Sequence, residues 1–454
     1  MLTYELQKAP GSPLYEILYR HIREDILSGK LRPGEKLPSK RALSAHLEVS
    51  KVTVEAAYEQ LLAEGYICSR EKVGYFVEAV PQRAAPAPIP AAPVSHTDPC
   101  VLDLSTNGSL GFPFSVWSKL QRQIMLDLGQ QLLAPQPNQG AWELRCAIAR
   151  HLEQFRGMHV DPNNILIGAG TDFLYNLLIQ LLGRDKIYAV EEPGYGKIRR
   201  IYAAGGVDCI SAPMDSQGVL PLDNAQVLHI SPSHHFPTGL VTPMDRRRAL
   251  LQWAAGQADR YIIEDDYDSE FRFDAHPMPT LQALDRENRV VYMNTFSKTL
   301  SSSIRISYMV LPTPLMAAFQ QRLGFYSCTV PSFEQYTLER FLSCGYFEKY
   351  INRMRRAYKS LRDQVLQLLK ECPHADKLTI LEQDAGLHFL IKADTQLSDE
   401  ALETHCLRQG IRIRTLSSYY HGPVPEADRH CLVVSYSGLR KDQLPLLKQL
   451  LEQL

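Results

Sequence analysis

The chain has 454 residues, more than one ordinary hydrophobic core serves, so it implies two to three domains or a large α/β body with an appendage. A hydrophobic content of 45%, a charged content of 22% and a net charge of −1 describe a soluble globular protein and favour neither nucleic acid nor membrane. No apolar run approaches the ~20 residues of a spanning helix. Met1 to Pro10 lacks the apolar core of a signal peptide, and nine scattered cysteines show no Cys-x-x-Cys or metal spacing, so a reduced, cytoplasmic setting is expected.

Apolar residues at Leu14, Leu18, Ile22 and Ile26 keep helical spacing and stop at Ser28-Gly29. Leu31 to Pro38 reads as a turn-rich connector. Ser39 is placed to cap a short helix through Leu47, and Ser50 a second one through about Ala63. That second helix buries Val54, Ala57, Tyr58 and Leu61 or Leu62, leaves Lys51 and Thr53 on its first turn, and ends at Gly65. Tyr66–Ser69 and Tyr75–Glu78, about a charged turn with Gly74, read as a hairpin. Three helices and a hairpin describe a winged helix-turn-helix, in which the first turn of the second short helix enters the major groove. Through Glu78 the charge is balanced, yet Lys30, Arg32, Lys36, Lys40 and Arg41 fall within twelve residues beside only Glu35. An ordinary three-helix domain with a basic, solvated face is the alternative.

Ala79 to Cys100 carries Pro81, Pro86, Pro88, Pro90, Pro93 and Pro99 among alanines, a composition for an extended spacer. Beyond it, apolar runs at 164–168, 186–191, 225–230, 260–264 and 290–294 alternate with amphipathic helices. That alternation predicts a mostly parallel sheet with helices on both faces. From about Pro331 the chain is helix-rich, then carries strands near 387–391, 411–415 and 431–436, a smaller carboxy-terminal lobe.

The chemistry concentrates in a few stretches of this body. In Thr295-Phe296-Ser297-Lys298-Thr299-Leu300 a lysine stands among hydroxyls, with Arg305 shortly beyond. An aldehyde cofactor with a phosphate tail needs an amine for an imine, and a cation with hydroxyls for the phosphate; a lysine in a polar turn is otherwise simply solvated. Upstream, Tyr261-Ile262-Ile263 runs into Glu264-Asp265-Asp266-Tyr267-Asp268, the pattern of a buried strand opening onto a ligand crevice. A buried carboxylate there can hold a pyridine nitrogen protonated, and Tyr267 can donate to a ring oxygen; a solvated acidic turn is the alternative. Gly168-Ala169-Gly170-Thr171-Asp172 follows a strand and opens an apolar helix, so its amides could cradle a phosphate. His234 and His235 are adjacent, but no third ligand lies at a metal spacing, so a metal site is not expected.

Lys298, Asp265, Tyr267 and Arg305 together resemble the cofactor site of fold-type-I pyridoxal-phosphate aminotransferases. Glu264 to Phe271 is similar in particular to the MocR-type regulators of the GntR superfamily, which join a winged helix-turn-helix to an aminotransferase-like domain. The resemblance implies an α/β protein with a DNA-binding head over 1–78, a linker over 79–100 and a fold-type-I body over 101–454. It implies pyridoxal 5'-phosphate as cofactor, with Lys298 as the imine lysine and with Asp265, Tyr267, Tyr195, Gly170, Thr171, Thr295, Arg305 and His235 around it. Tyr195 would pack on the ring, and His235 stands where glutamine is usual in a Pro-Thr-Gly loop. Leu37–Ser44 and Val49–Val54 look like the GntR pattern, which carries DNA contact onto Arg41, Ser50, Lys51 and Thr53. Lys51 replaces a usual arginine, so phosphate contact survives without bidentate guanine reading. The wing lacks the common Gly-Ser-Gly-Thr tip.

Aminotransferases of this kind clamp the substrate carboxylate with an arginine near the carboxy end; here Leu432-Val433-Val434-Ser435-Tyr436 places Val433 at that site. Arg412, Arg414 and Arg429 are the remaining candidates. The loss argues against ordinary transamination and for a site that holds cofactor as a signal. The expectation is a homodimeric regulator that binds operator DNA and senses pyridoxal phosphate or its adduct with an amine or amino acid. The alternatives are an active aminotransferase with a DNA-binding appendage and a structural dimer with a vestigial site.

Overall fold

The computed structural model describes residues 2–4, 6, 13–79, 102–106, 108, 111–271, 278–381 and 386–452. The chain divides into two compact units, Met1–His96 and Thr97–Leu454. The proline-rich stretch expected as a linker lies outside the described residues apart from Ala79.

In the first unit, α1 (Leu14–Leu27), α2 (Lys40–His46) and α3 (Lys51–Ala63) are followed by a hairpin of β1 (Ile67–Arg70) and β2 (Gly74–Val77). The Ser39 and Ser50 hydroxyls accept from the Ala42 and Thr53 amides at 3.1 Å, caps worth about 1 kcal/mol each. The apolar faces so oriented meet in one core that includes Leu18, Ile22, Leu43, Val54 and Tyr58. Of the two leucines that the period allows at the end of α3, Leu61 is the fully buried one. The strands are Ile67–Arg70 and Gly74–Val77 rather than 66–69 and 75–78, because Ile67 and Val77 are the cross-strand pair that faces this core.

In the second unit, β3 (Leu102–Asp103), α4 (Phe114–Leu128) and α5 (Trp142–Arg156) precede an eight-stranded sheet. Its strands are β4 (Ile165–Gly168), β5 (Tyr188–Glu192), β6 (Cys209–Asp215), β7 (Gly218–Val219), β8 (Val227–Ile230), β9 (Tyr261–Asp265), β10 (Val290–Thr295) and β11 (Ser307–Val310). They are ordered β4-β11-β10-β9-β8-β5-β6-β7. The centre is parallel, β10 to β9 to β8 to β5 to β6, while β11 runs antiparallel between β10 and β4.

Helices α6 (Thr171–Leu182), α7 (Gly196–Ala204), α8 (Met244–Ala255), α9 (Leu281–Leu284), α10 (Phe296–Thr299) and α11 (Thr313–Leu323) connect or follow these strands. Successive strand residues point to opposite faces. Ile262 accordingly packs with Leu250 and Trp253 of α8, and Ile263 with Leu174 and Leu178 of α6. Burial on both faces explains why the strands read as continuous apolar runs, each side chain contributing about 1.5–3 kcal/mol.

The smaller lobe begins with α12 (Ser332–Ser343) and α13 (Tyr346–Glu371). Its remaining elements are β12 (Leu378–Leu381), β13 (His388–Ala393), α14 (Asp399–Arg408), β14 (Ile411–Arg412), β15 (Arg414–Thr415), β16 (Cys431–Ser435) and α15 (Leu444–Leu451). The antiparallel order is β12-β13-β16-β15, and β14 pairs with β3. Among the described residues no helix is long and apolar enough to cross a membrane.

Candidate functional site

The carboxyl ends of the parallel strands open onto a cavity of ≈ 290 Å³, the place where such sheets take their ligands. It brings together Asp265 from the end of β9, Thr295 from the end of β10, Lys298 from α10, Thr171 from the start of α6, and Tyr195 and Tyr267 from loops.

Asp265 is buried, and its Oδ2 accepts from the Tyr175 hydroxyl at 2.6 Å with His229 Nε2 at 3.5 Å. His229 Nδ1 in turn lies 2.6 Å from the Tyr202 hydroxyl. The other oxygen, Oδ1, is buried with no partner among the described residues. A buried carboxylate oxygen left open is costly unless a donor reaches it; a protonated ring nitrogen in this cavity is such a donor. Tyr175 and His229 were not singled out from sequence. Their only sequence signal is a histidine within the apolar run Val227–Ile230 and a tyrosine one helical turn after Thr171.

Lys298 sits on the single turn of α10, which Thr295 caps by accepting from the Ser297 amide at 3.1 Å. Ser307 donates to the same hydroxyl at 2.7 Å. Thr295 therefore lines the cavity while its hydroxyl is engaged in holding the lysine's turn. Protein crowding around the Lys298 amine disfavours its charged form and lowers its pKa, against the opposing pull of Asp268 and Asp265. An amine with a lowered pKa is the better nucleophile at neutral pH.

Tyr267 is held by His234, whose Nδ1 is 3.3 Å from the phenol and 2.8 Å from Asp268 Oδ2. With Nδ1–H given to Asp268, the phenolic proton is left for an acceptor in the cavity. Tyr195 is 52% exposed at the mouth, edge-on to Phe236. His235, by contrast, does not line the cavity. Its ring turns away, with Nδ1 at 2.7 Å from Thr238 Oγ1 and Nε2 at 3.5 Å from Glu191 Oε2, and burial pushes its pKa down to about 3. The local turn with Thr238 decides this, and Glu191 takes the place beside the ring site. Burial pushes the Glu191 carboxyl up to about 8, although it accepts from the Ser231 amide.

Of the residues expected around a phosphate, Thr171 lines the cavity, while Gly170 and Arg305 stand beside it and do not; Gly170 has φ +88° and ψ 163°, a region that side-chain-bearing residues avoid. An added Cβ would lie 2.3 Å from Arg305 Nη2. Gly170 caps α6 without a side-chain hydrogen bond, so the first-turn amides stay open to an anion. Arg305 stands over this turn with its own backbone at φ +52°, and Asp172 Oδ2 lies 3.6 Å from its Nη2. These residues fit pyridoxal phosphate: an open acid for the ring nitrogen, an amine for the aldehyde, and a glycine-shaped, cationic turn for the phosphate.

Val433 on β16 packs with Leu390, Leu416 and Phe236, and Ser435, two residues on, lines the cavity. Arg414 pairs with Glu403 at 3.0 Å, Arg429 with Glu426 at 3.0 Å, and Arg412 approaches Asp103 at 4.0 Å. Among the described residues none of the three lines the cavity.

In the amino-terminal unit, Arg41 on α2 and Ser50 and Lys51 at the start of α3 are exposed, and Thr53 is half-buried, 2.8 Å from Ser50 through their hydroxyls. Lys40 is tied to Glu55 at 2.7 Å. Val52, unremarked from sequence, is a 72% exposed apolar side chain on the same turn.

Residues 14–77 match the bacterial regulatory proteins of the gntR family, and residues 99–445 match aminotransferase class I and II. The chain is 36% identical to the uncharacterized HTH-type transcriptional regulator YdeL of Bacillus subtilis, over 93% of both chains. It is 32% identical to the probable rhizopine catabolism regulatory protein MocR of Rhizobium meliloti, over 96% of this chain and 92% of that one. It is 31% identical to the pyridoxine biosynthesis transcriptional regulator PdxR of Corynebacterium glutamicum, over 89% and 88%. The body superposes on a Pyrococcus horikoshii kynurenine aminotransferase, solved in complex with PMP, with a TM-score of 0.67, 23% identity and 79% and 92% coverage. A regulatory head and an aminotransferase-type body in one chain, matched along nearly its whole length, make this protein a member of the MocR-type subfamily of GntR-family transcriptional regulators.

Proposed function

We propose that this protein is a cytoplasmic, homodimeric regulator that binds operator DNA through residues 1–78 and senses pyridoxal 5'-phosphate, or its adduct with an amine or amino acid, through residues 101–454, with 79–100 as the linker. The observation that carries the reading is Asp265, a buried carboxylate with one oxygen held by Tyr175 and the other open, in the same cavity as Lys298. When bound, the cofactor supplies an aldehyde and an electron-accepting ring. Lys298 would hold it by its amine, Asp265 would keep a proton at the ring nitrogen, and Tyr267 would donate to the ring oxygen. Tyr195 would pack on the ring, Gly170, Thr171 and Arg305 would hold the phosphate, and Thr295 positions Lys298. The apolar packing of Val433, with Arg412, Arg414 and Arg429 outside the cavity among the described residues, supports sensing over ordinary transamination. The name of the relative PdxR supports a link to vitamin B6 metabolism.

In the head, Arg41, Ser50, Lys51 and Thr53 contact DNA, Lys51 at a phosphate, and the exposed Val52 offers an apolar group suited to a thymine methyl. Two heads of a dimer then read paired half-sites. The test is binding of the full protein to DNA upstream of its own gene, with and without pyridoxal phosphate. Specific binding that changes with the cofactor is the expected result. Binding that ignores it would refute sensing of pyridoxal phosphate alone and leave a regulator that answers to a second effector. No specific binding in either state, with release of a keto acid from added amino acids, would make the protein an enzyme.

A further inference from the structure

Asp172 is the second residue of α6, directly after Thr171, and so stands at the turn that would take a phosphate. An acid there suits the helix dipole but repels a bound dianion. Two cations from different elements face it. Lys197, on the first turn of α7, places Nζ 2.7 Å from Asp172 Oδ2, and Arg305 places Nη2 3.6 Å from the same oxygen. The turn therefore carries one net positive charge with Lys197 present and none without it. Lys197 also acts on the Lys298 amine, whose charged form it disfavours, so it belongs electrically to the same cavity.

We propose that the Lys197–Asp172 pair sets the preference for a phosphorylated over an unphosphorylated pyridoxal-type ligand, with Lys197 cancelling an acid that otherwise opposes the phosphate and leaving Arg305 to bind it. The inference rests on the reading of the cavity given above. Lys197 is a positioning and specificity-determining residue here, not a catalytic one. All three side chains are partly solvated, at 47% for Lys197, 36% for Asp172 and 50% for Arg305, so the effect is a matter of several-fold rather than of orders of magnitude.

The experiment compares uptake of pyridoxal phosphate and of pyridoxal by the full protein, followed by absorbance, in wild type, Lys197→Met, Asp172→Asn and the double variant. The ratio of the two affinities separates a phosphate effect from any change in fold or in Lys298, because both aldehydes need the same lysine. Lys197→Met is expected to lower the ratio about two- to fivefold, as for loss of one partly exposed charge pair. Asp172→Asn is expected to raise it, the double variant to return it near wild type, and added salt to shrink the differences of the two single variants. A Lys197→Met variant that weakens both aldehydes equally, or an Asp172→Asn variant that lowers the ratio, would overturn the inference while leaving the cavity reading intact. Wild-type protein that takes up neither aldehyde would overturn both.

Discussion

Replacing Asp265 with asparagine tests the centre of the proposed site, because the structure predicts opposite effects on the free and loaded protein. In the free protein Asp265 is a buried carboxylate with Oδ1 unpartnered, so its charge is a cost to folding. The amide oxygen of asparagine can still accept from Tyr175, now 2.6 Å from Oδ2. Melting of the free body is therefore expected to stay level or rise. In the loaded protein the same change removes a charge-assisted hydrogen bond of about 1.5–3 kcal/mol. That corresponds to roughly 10- to 150-fold weaker binding of pyridoxal phosphate. Calorimetric melting of the free protein and absorbance titration with the cofactor measure the two halves. Unchanged affinity would refute the assignment of Oδ1 to the ring nitrogen. A free protein destabilised by the change would instead make Asp265 a structural acid.

Gly170→Ala should destabilise the free body by about 1–3 kcal/mol through its left-handed backbone and weaken phosphate-bearing ligands further, since the new Cβ would displace Arg305 from 2.3 Å away; denaturation and cofactor titration read the two effects. Lys51→Ala should weaken DNA binding evenly across sequences and reduce the salt slope by about one, as loss of one phosphate contact does; an unchanged slope in anisotropy titrations would exclude that role. Glu191, raised from an ordinary 4.5 to about 8 by burial, binds a proton in the folded state that the unfolded chain has already released between those pH values, so its contribution to stability falls as pH rises through that window. Glu191→Gln keeps an acceptor for Ser231 and should flatten that decline, measured as melting temperature against pH.

Local signals carried much of the reading. The caps Ser39 and Ser50, the helical spacing of the head and the strand that runs into Asp265 are each contained in a few neighbouring residues, and short-range physics places them. The site's supporting groups are different in kind. Tyr175 meets Asp265 across 90 residues of chain, and His234 meets Tyr267 across 33. No periodicity encodes such meetings, because strand order brings them together. His235 carries the resemblance to the cofactor loop, yet its neighbour His234 is the one that touches Tyr267, while His235 is engaged by Thr238, a choice that no local pattern encodes. Strand β11 lies in the apolar run Tyr308-Met309-Val310-Leu311, but no local feature of that run marks it as an antiparallel return between β10 and β4.

By itself, then, the sequence determined the two-module organisation and the head's helices, and it singled out Lys298 and Asp265 as the candidates for the amine and the ring acid, because residue type, cap chemistry and local period are properties of short segments. Only the tertiary structure decided that Asp265 keeps one oxygen open, that Asp172 turns to Lys197, and that Arg412, Arg414 and Arg429 stay outside the cavity. Those outcomes depend on burial and on distances between segments far apart in the chain, where desolvation and charge pairing take effect.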